Sequence, residues 1–562
     1  MTVQQTNTKP TVALRVGLRS TLGSPVLRSV AWAIPLALIV GLVLYPLLQL
    51  MLGVLDLDTN YVVAGPYLRV FRNTLIYALG STVMALVIGT FLAWIFSRGD
   101  VPYIRPARVI IFVGFVVSEF IYAIAYTFLL DPQAGYLTWA LGGHTLFPLY
   151  SMTGMVLITG LFMVPQVFIL VEPALENLGT DLEEASEACG ANRWATLLRV
   201  HIPLITAALA AAALLTFLLS FASFGIPAAL GVPNRIYVLS TLVFSLIRSY
   251  PPDFTMAAAL SIPFILVGLL ATAGKIYLLR RSVRFRVVGG KGKQMRRRHM
   301  SKPLQAMLFL VVWVAALLVS ILPLAAVVFI SFTNSWSRGI SDGLGLHNYQ
   351  FILFDSSGTA NMAQTTITVT VATVVVVTTL ALLYALYENS HRGIVSGTIR
   401  MIAYIGIAVP PIAFTIGALF AYIKPPFAFY GTIWILVATY SARFVPIATD
   451  SIAAGLGQIS VDLREAAASC GASSWCIFRT VIFPLLWPVV LAAGMVVTVF
   501  ALREVLSAVF LSTGTIRMAM VGVFDFWEEG NLEFAAALAT LLTALAGTAY
   551  ILAGVLGRRW RS

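Results

Sequence analysis

Charged side chains are scarce in this chain. Of its 562 residues, 36 are Lys or Arg and 23 are Asp or Glu, so charged residues make up only 10% of the sequence. Soluble domains carry about 25%, and this deficit excludes an ordinary soluble globular protein. Hydrophobic residues make up 59% instead, and the mean hydropathy is +0.92. The composition therefore predicts a chain that crosses a membrane several times.

Cysteine is rare, and several motifs that carry chemistry are missing. The three cysteines, Cys189, Cys470 and Cys476, fall in predicted cytoplasmic loops, where structural disulfides are rare. No G-x-x-x-x-G-K-[ST] loop occurs, since GGKGKQ has neither the spacing nor a preceding strand. The sequence also lacks clustered Cys and His ligands and a nucleophile elbow. We therefore expect no catalytic residue, metal site or cofactor in this chain, and no ATPase motor of its own.

Twelve apolar runs are long enough to cross a bilayer as helices, which takes roughly 20 residues each. Because every backbone polar group must be satisfied within such a segment, the predicted fold class is an all-α integral membrane protein. The runs lie near residues 29–52, 73–97, 108–130, 152–175, 204–230, 256–279, 304–332, 362–387, 401–423, 428–452, 485–511 and 534–557. We expect an amino-terminal tail at 1–28, six-helix repeats at 29–280 and 304–562, and a basic linker at 281–303.

Lys and Arg are concentrated in three segments outside these runs. The tail contains Lys9, Arg15, Arg19 and Arg28 without an acidic residue, and the stretches RRSVRFRVVGGKGKQMRRRHMSK and GRRWRS are basic as well. Short cytoplasmic loops retain positive charge, so we expect both termini and the linker on the cytoplasmic side of a bacterial inner membrane. The net charge of +13 comes largely from these segments, and anionic lipid headgroups explain it without a nucleic-acid partner.

Two stretches of the sequence resemble each other. DLEEASEACGANRWATLLRVHIPL begins at Asp181, and DLREAAASCGASSWCIFRTVIFPL begins at Asp462, an offset of 281 positions (462 − 181). Six predicted spans, an even number, separate equivalent points, so the two repeats are parallel and both stretches lie on the same face. A parallel repeat of this kind predicts a pathway at the seam between the halves.

The repeated stretch has the features of a short docking helix. Thr180 and Glu183 have the spacing of a capping box, small residues follow at helical spacing, and Gly190 suits a C′ turn. An ordinary interfacial helix usually carries a basic polar face. Carboxylates and small residues, present twice, favour protein docking over a helix that lies on the headgroups.

Both copies resemble the EAA loop in the membrane subunits of binding-protein-dependent ABC importers. The matching residues are Glu184, Ala185, Ser186, Gly190 and Pro203 in the first copy, where Ser186 replaces an alanine, and Glu465, Ala466, Ala467, Gly471 and Pro484 in the second. The resemblance implies the MetI-like permease fold of the methionine, maltose and molybdate permeases, with about twelve transmembrane helices in two parallel six-helix repeats. It also implies that each loop forms a coupling helix on one of two copies of a separate ATPase, which binds ATP and Mg, and that a periplasmic solute-binding protein delivers the cargo.

Ionisable residues within the predicted spans are candidates for a cavity or gate, because charge inside a membrane is costly. The candidates are Glu119, Arg443, Arg503 and Glu504, of which the last two interrupt the eleventh run. Arg443 and Asp450 lie seven apart on one helix face, and a structural ion pair or a headgroup position is favoured slightly over a substrate role. Glu119 stands roughly where many relatives of the resembled family have a proline, whereas Pro410 and Pro411 occur in the comparable span of the second half.

The cargo is predicted only by resemblance. The segments SRGDVPYIRPARVIIF, IYAIAYTFLLDPQAG, FASFGIPAALG and LREVLSAVFL are similar to the fused ferric iron permeases, which makes ferric iron our expectation. Permeases for polyamine, thiamine, phosphonate and sulfate share the loop and remain alternatives. A cationic cargo suits Glu119 and Glu504, and an anionic one suits Arg443 and Arg503. A secondary transporter with parallel repeats also fits twelve spans, but it leaves the paired EAA loops unexplained.

Overall fold

The computed structural model is built from helices over the part of the chain it describes. The described residues are 25–55, 65–176, 185–186, 188–282, 301–338, 343–355, 357–391 and 393–559. Within them the one β feature is an isolated bridge between Thr333 and Leu344. The predicted tail at 1–28 and the linker at 281–303 lie mostly outside the described residues.

The described part of the first half is a succession of α-helices. They are α1 (Pro25–Val54), α2 (Gly65–Arg98), α3 (Ile104–Gly114), α4 (Glu119–Leu130), α5 (Tyr136–Ala140), α6 (Met152–Glu176), α7 (Arg193–Thr196), α8 (Ile202–Leu204), α9 (Thr206–Phe221), α10 (Leu239–Arg248), α11 (Phe254–Ala259) and α12 (Ile262–Ser282), within the described residues. A π-helical turn, Leu197–His201, joins α7 to α8, and a second one, Pro227–Gly231, follows α9.

The second half follows the same order. Its described helices are α13 (Lys302–Ala316), α14 (Leu322–Ser331), α15 (His347–Gln350), α16 (Ser357–Ser390), α17 (Ile394–Ala408), α18 (Pro411–Ile423), α19 (Ile433–Gln458), α20 (Val461–Ser469), α21 (Ser474–Ile477), α22 (Phe483–Arg503), α23 (Leu506–Leu511), α24 (Ala519–Glu528) and α25 (Leu532–Arg559). The π-helical turn Phe478–Ile482 lies between α21 and α22, at the position that Leu197–His201 has in the first half.

The number of membrane spans agrees with the sequence prediction. Among the described residues, eight helices are long and apolar enough to cross a membrane, and up to thirteen spans result if each bent helix pair counts as one. The twelve predicted runs fall within these limits. Two of them bend sharply, because α3 and α4 meet at 107° and α17 and α18 meet at 105°. The chain is extended at each break, at Ser118 and at Pro410, which ends the helical backbone there.

The two halves interlock through these broken spans. Helix α1 packs against α18 of the second half, and the segment Leu317–Ser331 packs against α3 and α4 of the first half. The backbones approach closely at both places: a Cβ added to Gly417 would lie 2.5 Å from the Pro46 carbonyl oxygen, and one added to Gly114 would lie 3.0 Å from the Val319 carbonyl oxygen. Each half therefore supplies part of the packing surface of the other.

Equivalent hydrogen bonds recur in the two halves. The Thr74 hydroxyl on α2 accepts the backbone N–H of Leu239 at 2.9 Å, at the start of α10. The Thr366 hydroxyl on α16 accepts the backbone N–H of Ala519 at 2.7 Å, at the start of α24. Each hydroxyl satisfies an N–H that has no partner within its own helix, so the duplicated sequence folds into duplicated structure.

Candidate functional site

The two repeated loops form matching turns. Gly190 and Gly471 have φ of +80° and +76°, the left-handed region, and no atom lies within 4 Å of a Cβ added at either position. Glycine is needed there by the backbone conformation, not by lack of space. The Ala191 N–H donates to the Ser186 carbonyl oxygen at 3.1 Å, and the Ala472 N–H donates to the Ala467 carbonyl oxygen at 3.2 Å. The turn predicted at Gly190 is thus confirmed, and Gly471 repeats it.

The second loop presents a helix with an exposed outer surface. Ser460 caps α20 by accepting the Asp462 N–H at 3.1 Å, and the buried Arg464 side chain donates to the Leu456 carbonyl oxygen at 3.2 Å. Glu465 and Ala466 are exposed, and Ala467 is half-buried. Exposed apolar side chains lie on the same loop, Val461, Leu463 and Trp475. An exposed patch of this composition is typical of a protein-docking surface.

The first loop is described only in part. Glu184 lies outside the described residues, Ala185 is exposed and Ser186 is half-buried. The Ser186 hydroxyl lies 2.9 Å from the Thr196 hydroxyl, which ties the short helix to α7. Pro203 and Pro484 occupy the second positions of α8 and α22, directly after the π-helical turns Leu197–His201 and Phe478–Ile482.

The candidate residue Glu119 lies at the break in the first half. It is the first residue of α4, the position that Pro411 occupies in α18. Its Oε1 accepts the hydroxyl of Ser223 and, at 3.0 Å, the backbone N–H of Ile226. Ser223 in turn bonds the Tyr77 hydroxyl at 2.6 Å. Glu119 therefore holds α4 against the segment that follows α9.

Arg443 and Glu504 form the matching polar group of the second half. Arg443 Nη1 lies 2.8 Å from Glu504 Oε2, and both side chains are 12% exposed. Glu504 Oε1 also accepts the Ser507 N–H at 3.3 Å, at the start of α23. The structural ion pair between Arg443 and Asp450 that the sequence favoured is wrong, because Asp450 instead pairs with Arg400 at 3.2 Å. A helical spacing of seven brings two residues to one face but does not decide which neighbouring helix supplies a closer charge.

Arg503 joins the two halves. Its carbonyl oxygen accepts the Ser118 hydroxyl at 3.1 Å, and its guanidinium carbon lies 4.6 Å from the centre of the Phe115 ring. Both partners belong to the break between α3 and α4. The four candidate charges thus lie along one seam, with Glu119 on the first half and the other three on the second.

An aromatic cluster covers one side of this charged seam. It consists of Phe120, Phe224, Phe244, Phe510, Phe524 and Trp527, whose rings pack in successive pairs 5.1 to 6.2 Å apart. Phe120 and Phe224 come from the first half, and Phe510 and Phe524 come from the second. All four are buried, whereas Glu119, Arg443, Arg503 and Glu504 are half-buried. The cluster therefore packs the two halves against each other, next to charged side chains that remain partly exposed.

Beyond the cluster, α10 and α24 carry the charges that join the halves at this end of the bundle. Arg248 Nη1 lies 2.6 Å from Glu528 Oε2, and the Arg248 guanidinium also lies over the Phe244 ring. Arg517 pairs with Asp525 at 2.5 Å within the second half. Burial raises the pKa of the Asp525 carboxyl, against the lowering effect of the Arg517 and Arg248 guanidinium groups. We call this end of the bundle the α10–α24 end. Helices α9 and α22 separate it from the loops that contain Gly190 and Gly471, and we call that opposite end the loop end.

Sequence reasoning identified the four charges but missed what surrounds them. It did not predict α10 and α24 as helices, the aromatic cluster, or the roles of Ser223 and Gly225. The recurring Phe residues from 217 to 244 and from 510 to 534 were the available signal. Among the described residues, no group of three or more His, Cys, Asp or Glu side chains is arranged to hold a metal ion.

Among the described residues, the chain is therefore a helical membrane protein with two repeated halves, a charged seam between them and two loops at one end. Residues 377–562 match the family described as the inner membrane component of binding-protein-dependent transport systems. This stretch of the chain is therefore similar to the permeases of that family.

The similarity to individual relatives extends beyond residues 377–562. The chain is 25% identical over 493 residues to the ferric transport system permease protein FbpB of Actinobacillus pleuropneumoniae, which covers 85% of this chain and 69% of the relative. It is 21% identical over 488 residues to the Fe(3+)-transport system permease protein FbpB 2 of Haemophilus influenzae, covering 85% and 88%. The sulfate transport system permease protein CysT of Escherichia coli is 26% identical over 202 residues, 36% of this chain and 72% of the relative.

Proposed function

We propose that this chain is the membrane-spanning subunit of an ATP-driven importer and that its two repeated loops couple it to a separate ATPase dimer. The observation that carries the proposal is the pair of matching turns at Gly190 and Gly471, in a chain whose residues 377–562 match a binding-protein-dependent permease family. A secondary transporter has no use for two exposed docking loops. The chain then supplies the path through the membrane, and its partner hydrolyses ATP.

The proposed orientation follows the distribution of positive charge. The loop end faces the cytoplasm together with both termini, and the α10–α24 end faces the periplasm, where a solute-binding protein docks. The aromatic cluster includes rings of α10 and α24, and we propose that it closes the seam toward the α10–α24 end. The proposed cycle begins from this state: ATP binding draws the two loops together and opens the seam to the docked binding protein, and hydrolysis returns the closed arrangement.

Ferric iron is the cargo that we propose. Two relatives that align with 85% of this chain are named as ferric or Fe(3+) transport permeases, whereas the sulfate permease aligns with 36%. The seam offers carboxylate and hydroxyl oxygens, from Glu119, Glu504 and Ser507, which are ligands that hard cations prefer. It also offers two guanidinium groups, so sulfate and phosphonate are the alternatives that the experiment must distinguish.

The coupling proposal is tested with a double substitution, Glu184→Ala with Glu465→Ala. Loss of both loop carboxylates is expected to abolish co-purification of the ATPase in detergent while the chain is still expressed and inserted. Ser469→Ala, an exposed change on the same helix α20, is the matched control and is expected to keep the ATPase bound. A double variant that still transports would overturn the assignment of these loops.

The cargo is tested in proteoliposomes that contain the chain and its ATPase. Hydrolysis of ATP is measured with binding protein loaded with ferric iron, with sulfate or with 2-aminoethylphosphonate. We expect stimulation by the iron-loaded form. Stimulation by one of the anions alone would replace iron as the cargo and leave the importer assignment intact.

A further inference from the structure

The two halves differ most sharply at the break in their third span. Both breaks have an extended residue followed by a new helix, yet the first residue of that helix is Glu119 in α4 and Pro411 in α18. Proline suits this position, because its missing N–H would have no partner there. A carboxylate among apolar residues is costly unless it is bonded. The departure from proline in the first half therefore requires a reason.

The contacts of Glu119 supply that reason. Its Oε1 accepts the Ser223 hydroxyl and the Ile226 N–H, both from the segment of residues 222–231 that follows α9. Next to these bonds the two backbones touch, since a Cβ added to Gly225 would lie 2.7 Å from the backbone nitrogen of Phe120. The carboxylate thus fastens segment 222–231 directly to the start of α4.

The same segment carries part of the closure. Phe224 lies between the two bonded residues, and its ring packs 5.1 Å from Phe244 and 6.1 Å from Phe510. Phe120, which follows Glu119, packs 5.1 Å from Phe524. Two of the three rings that the first half contributes to the aromatic cluster, Phe120 and Phe224, therefore flank the Glu119 bond. Separating α4 from segment 222–231 would separate them.

The second half is fastened in another way. Glu504 directly follows α22 and accepts the N–H of Ser507, the second residue of α23, while Arg443 of α19 neutralises it. The equivalent bonds at Leu239 and Ala519 give an offset of 280 in this part of the repeat (519 − 239), and at that offset Phe224 corresponds to Glu504 (504 − 224). Among the described residues, a carboxylate therefore bonds a broken span to the segment beside it in the first half and not in the second.

We propose that Glu119 is a positioning residue that latches the first half of the seam closed toward the α10–α24 end. This role rests on the proposed importer function. In that function the seam opens to a loaded binding protein, and a bond that stabilises the closed state sets how readily the seam opens without one. Release of the latch is then an early step of opening. Glu119 acts through segment 222–231 and not by binding the ATPase.

The test uses Glu119→Pro, which gives the first half the residue of the second. Ser118 is already extended, with φ −68° and ψ 147°, so the residue before the new proline keeps its backbone conformation. Glu119→Gln retains an oxygen acceptor and is the conservative comparison. Glu529→Gln, at an exposed carboxylate of the same type, is the matched control.

The first readout is amide hydrogen exchange of the purified full chain in nanodiscs, without any partner. In Glu119→Pro, peptides that contain Ile226 are expected to exchange about tenfold faster, the factor for losing a hydrogen bond to a charged group. Peptides that contain Ser507 should be unchanged, and Glu119→Gln should stay close to the native chain. Unchanged exchange at Ile226 in Glu119→Pro would overturn the latch.

The second readout is ATP hydrolysis by the reconstituted complex in the absence of binding protein. Glu119→Pro is expected to raise this basal rate about tenfold and to reduce the further stimulation by loaded binding protein, because the closed state has lost the same bond. Faster exchange with an unchanged basal rate would make Glu119 a purely structural residue and overturn the gating role. If no ATPase associates with the native chain, the proposed function fails, whereas the exchange result still decides whether the latch exists.

Discussion

Gly225 shows how much the closure of the seam depends on a residue without a side chain. A Cβ at this position would lie 2.7 Å from the nitrogen and 2.9 Å from the Cα of Phe120. Backbone atoms cannot move aside as a flexible side chain does. The approach that allows Glu119 to reach the Ile226 N–H is therefore possible because position 225 is glycine.

Gly225→Ala is expected to lower the stability of the chain by about 1–3 kcal/mol, the usual cost of inserting a methyl group into a packed site. Thermal unfolding in detergent measures it as a lower transition temperature. Gly514→Ala is the control, since no atom lies within 4 Å of a Cβ added there. Equal transition temperatures for the two variants would contradict the close backbone approach.

The sequence predicted these residues unequally. Charges within apolar runs are conspicuous, so Glu119, Arg503 and Glu504 were identified without a structure. Ser223 and Gly225 were not, because serine and glycine are common in membrane helices and their spacing carries no signal. The sequence also could not predict the partner of each charge. Arg443 pairs with Glu504 and not with Asp450. Partner choice depends on how helices distant in sequence pack together.

At the scale of elements, the loop that contains α20 is defined by its turn. Gly471 has φ +76°, and the Ala472 N–H closes the turn onto the Ala467 carbonyl oxygen. Asparagine enters the left-handed region more readily than other residues, whereas β-branched residues enter it at high cost. The turn can therefore be tested without changing any exposed docking side chain.

Gly471→Val is expected to strain the turn by about 1–2 kcal/mol, the cost of left-handed backbone for an ordinary residue. Trypsin cleavage after the exposed Arg479 should then be faster, and less ATPase should co-purify with the chain. Gly471→Asn is the matched variant and should behave like the native chain in both measurements. Identical cleavage of the Val variant would show that the turn does not require a positive φ.

Hydropathy predicted where helices lie but not where they break. The third run was read as one span because Phe115, Val116 and Val117 are apolar and contain no glycine or proline signal. Its counterpart carries Pro410 and Pro411, so that break was visible in the sequence. A break in a membrane helix is tolerated where neighbouring protein satisfies the freed backbone groups. Glu119, at the break in the third span, accepts the backbone N–H of Ile226 in segment 222–231. This contact joins residues distant in sequence, so hydropathy could not predict it.

At the scale of the whole molecule, the interlocked halves move against each other only if contacts between them at the α10–α24 end are released. Arg248 of α10 and Glu528 of α24 form such a contact, with 50% and 38% of their side chains exposed. An exposed pair of this kind adds at most about 1 kcal/mol to stability. It therefore marks the place where the halves separate without holding them together by itself.

A reversible link at this place is expected to stop the cycle. In a chain whose Cys189, Cys470 and Cys476 are replaced by serine, Arg248→Cys with Glu528→Cys is treated with a reductant-cleavable thiol cross-linker. Linking should abolish the stimulation of ATP hydrolysis by loaded binding protein, and reductant should restore it, because opening requires α10 and α24 to move apart.

The control pair for this link is Arg517→Cys with Asp525→Cys, which replaces a pair 2.5 Å apart within the second half. Linking it should leave the stimulation intact, since both positions move together with one half. The two pairs lie at the same end of the molecule, so a nonspecific effect of the reagent would appear in both. Full stimulation of the linked 248–528 chain would mean that the halves do not separate at the α10–α24 end, and that the seam opens by another motion.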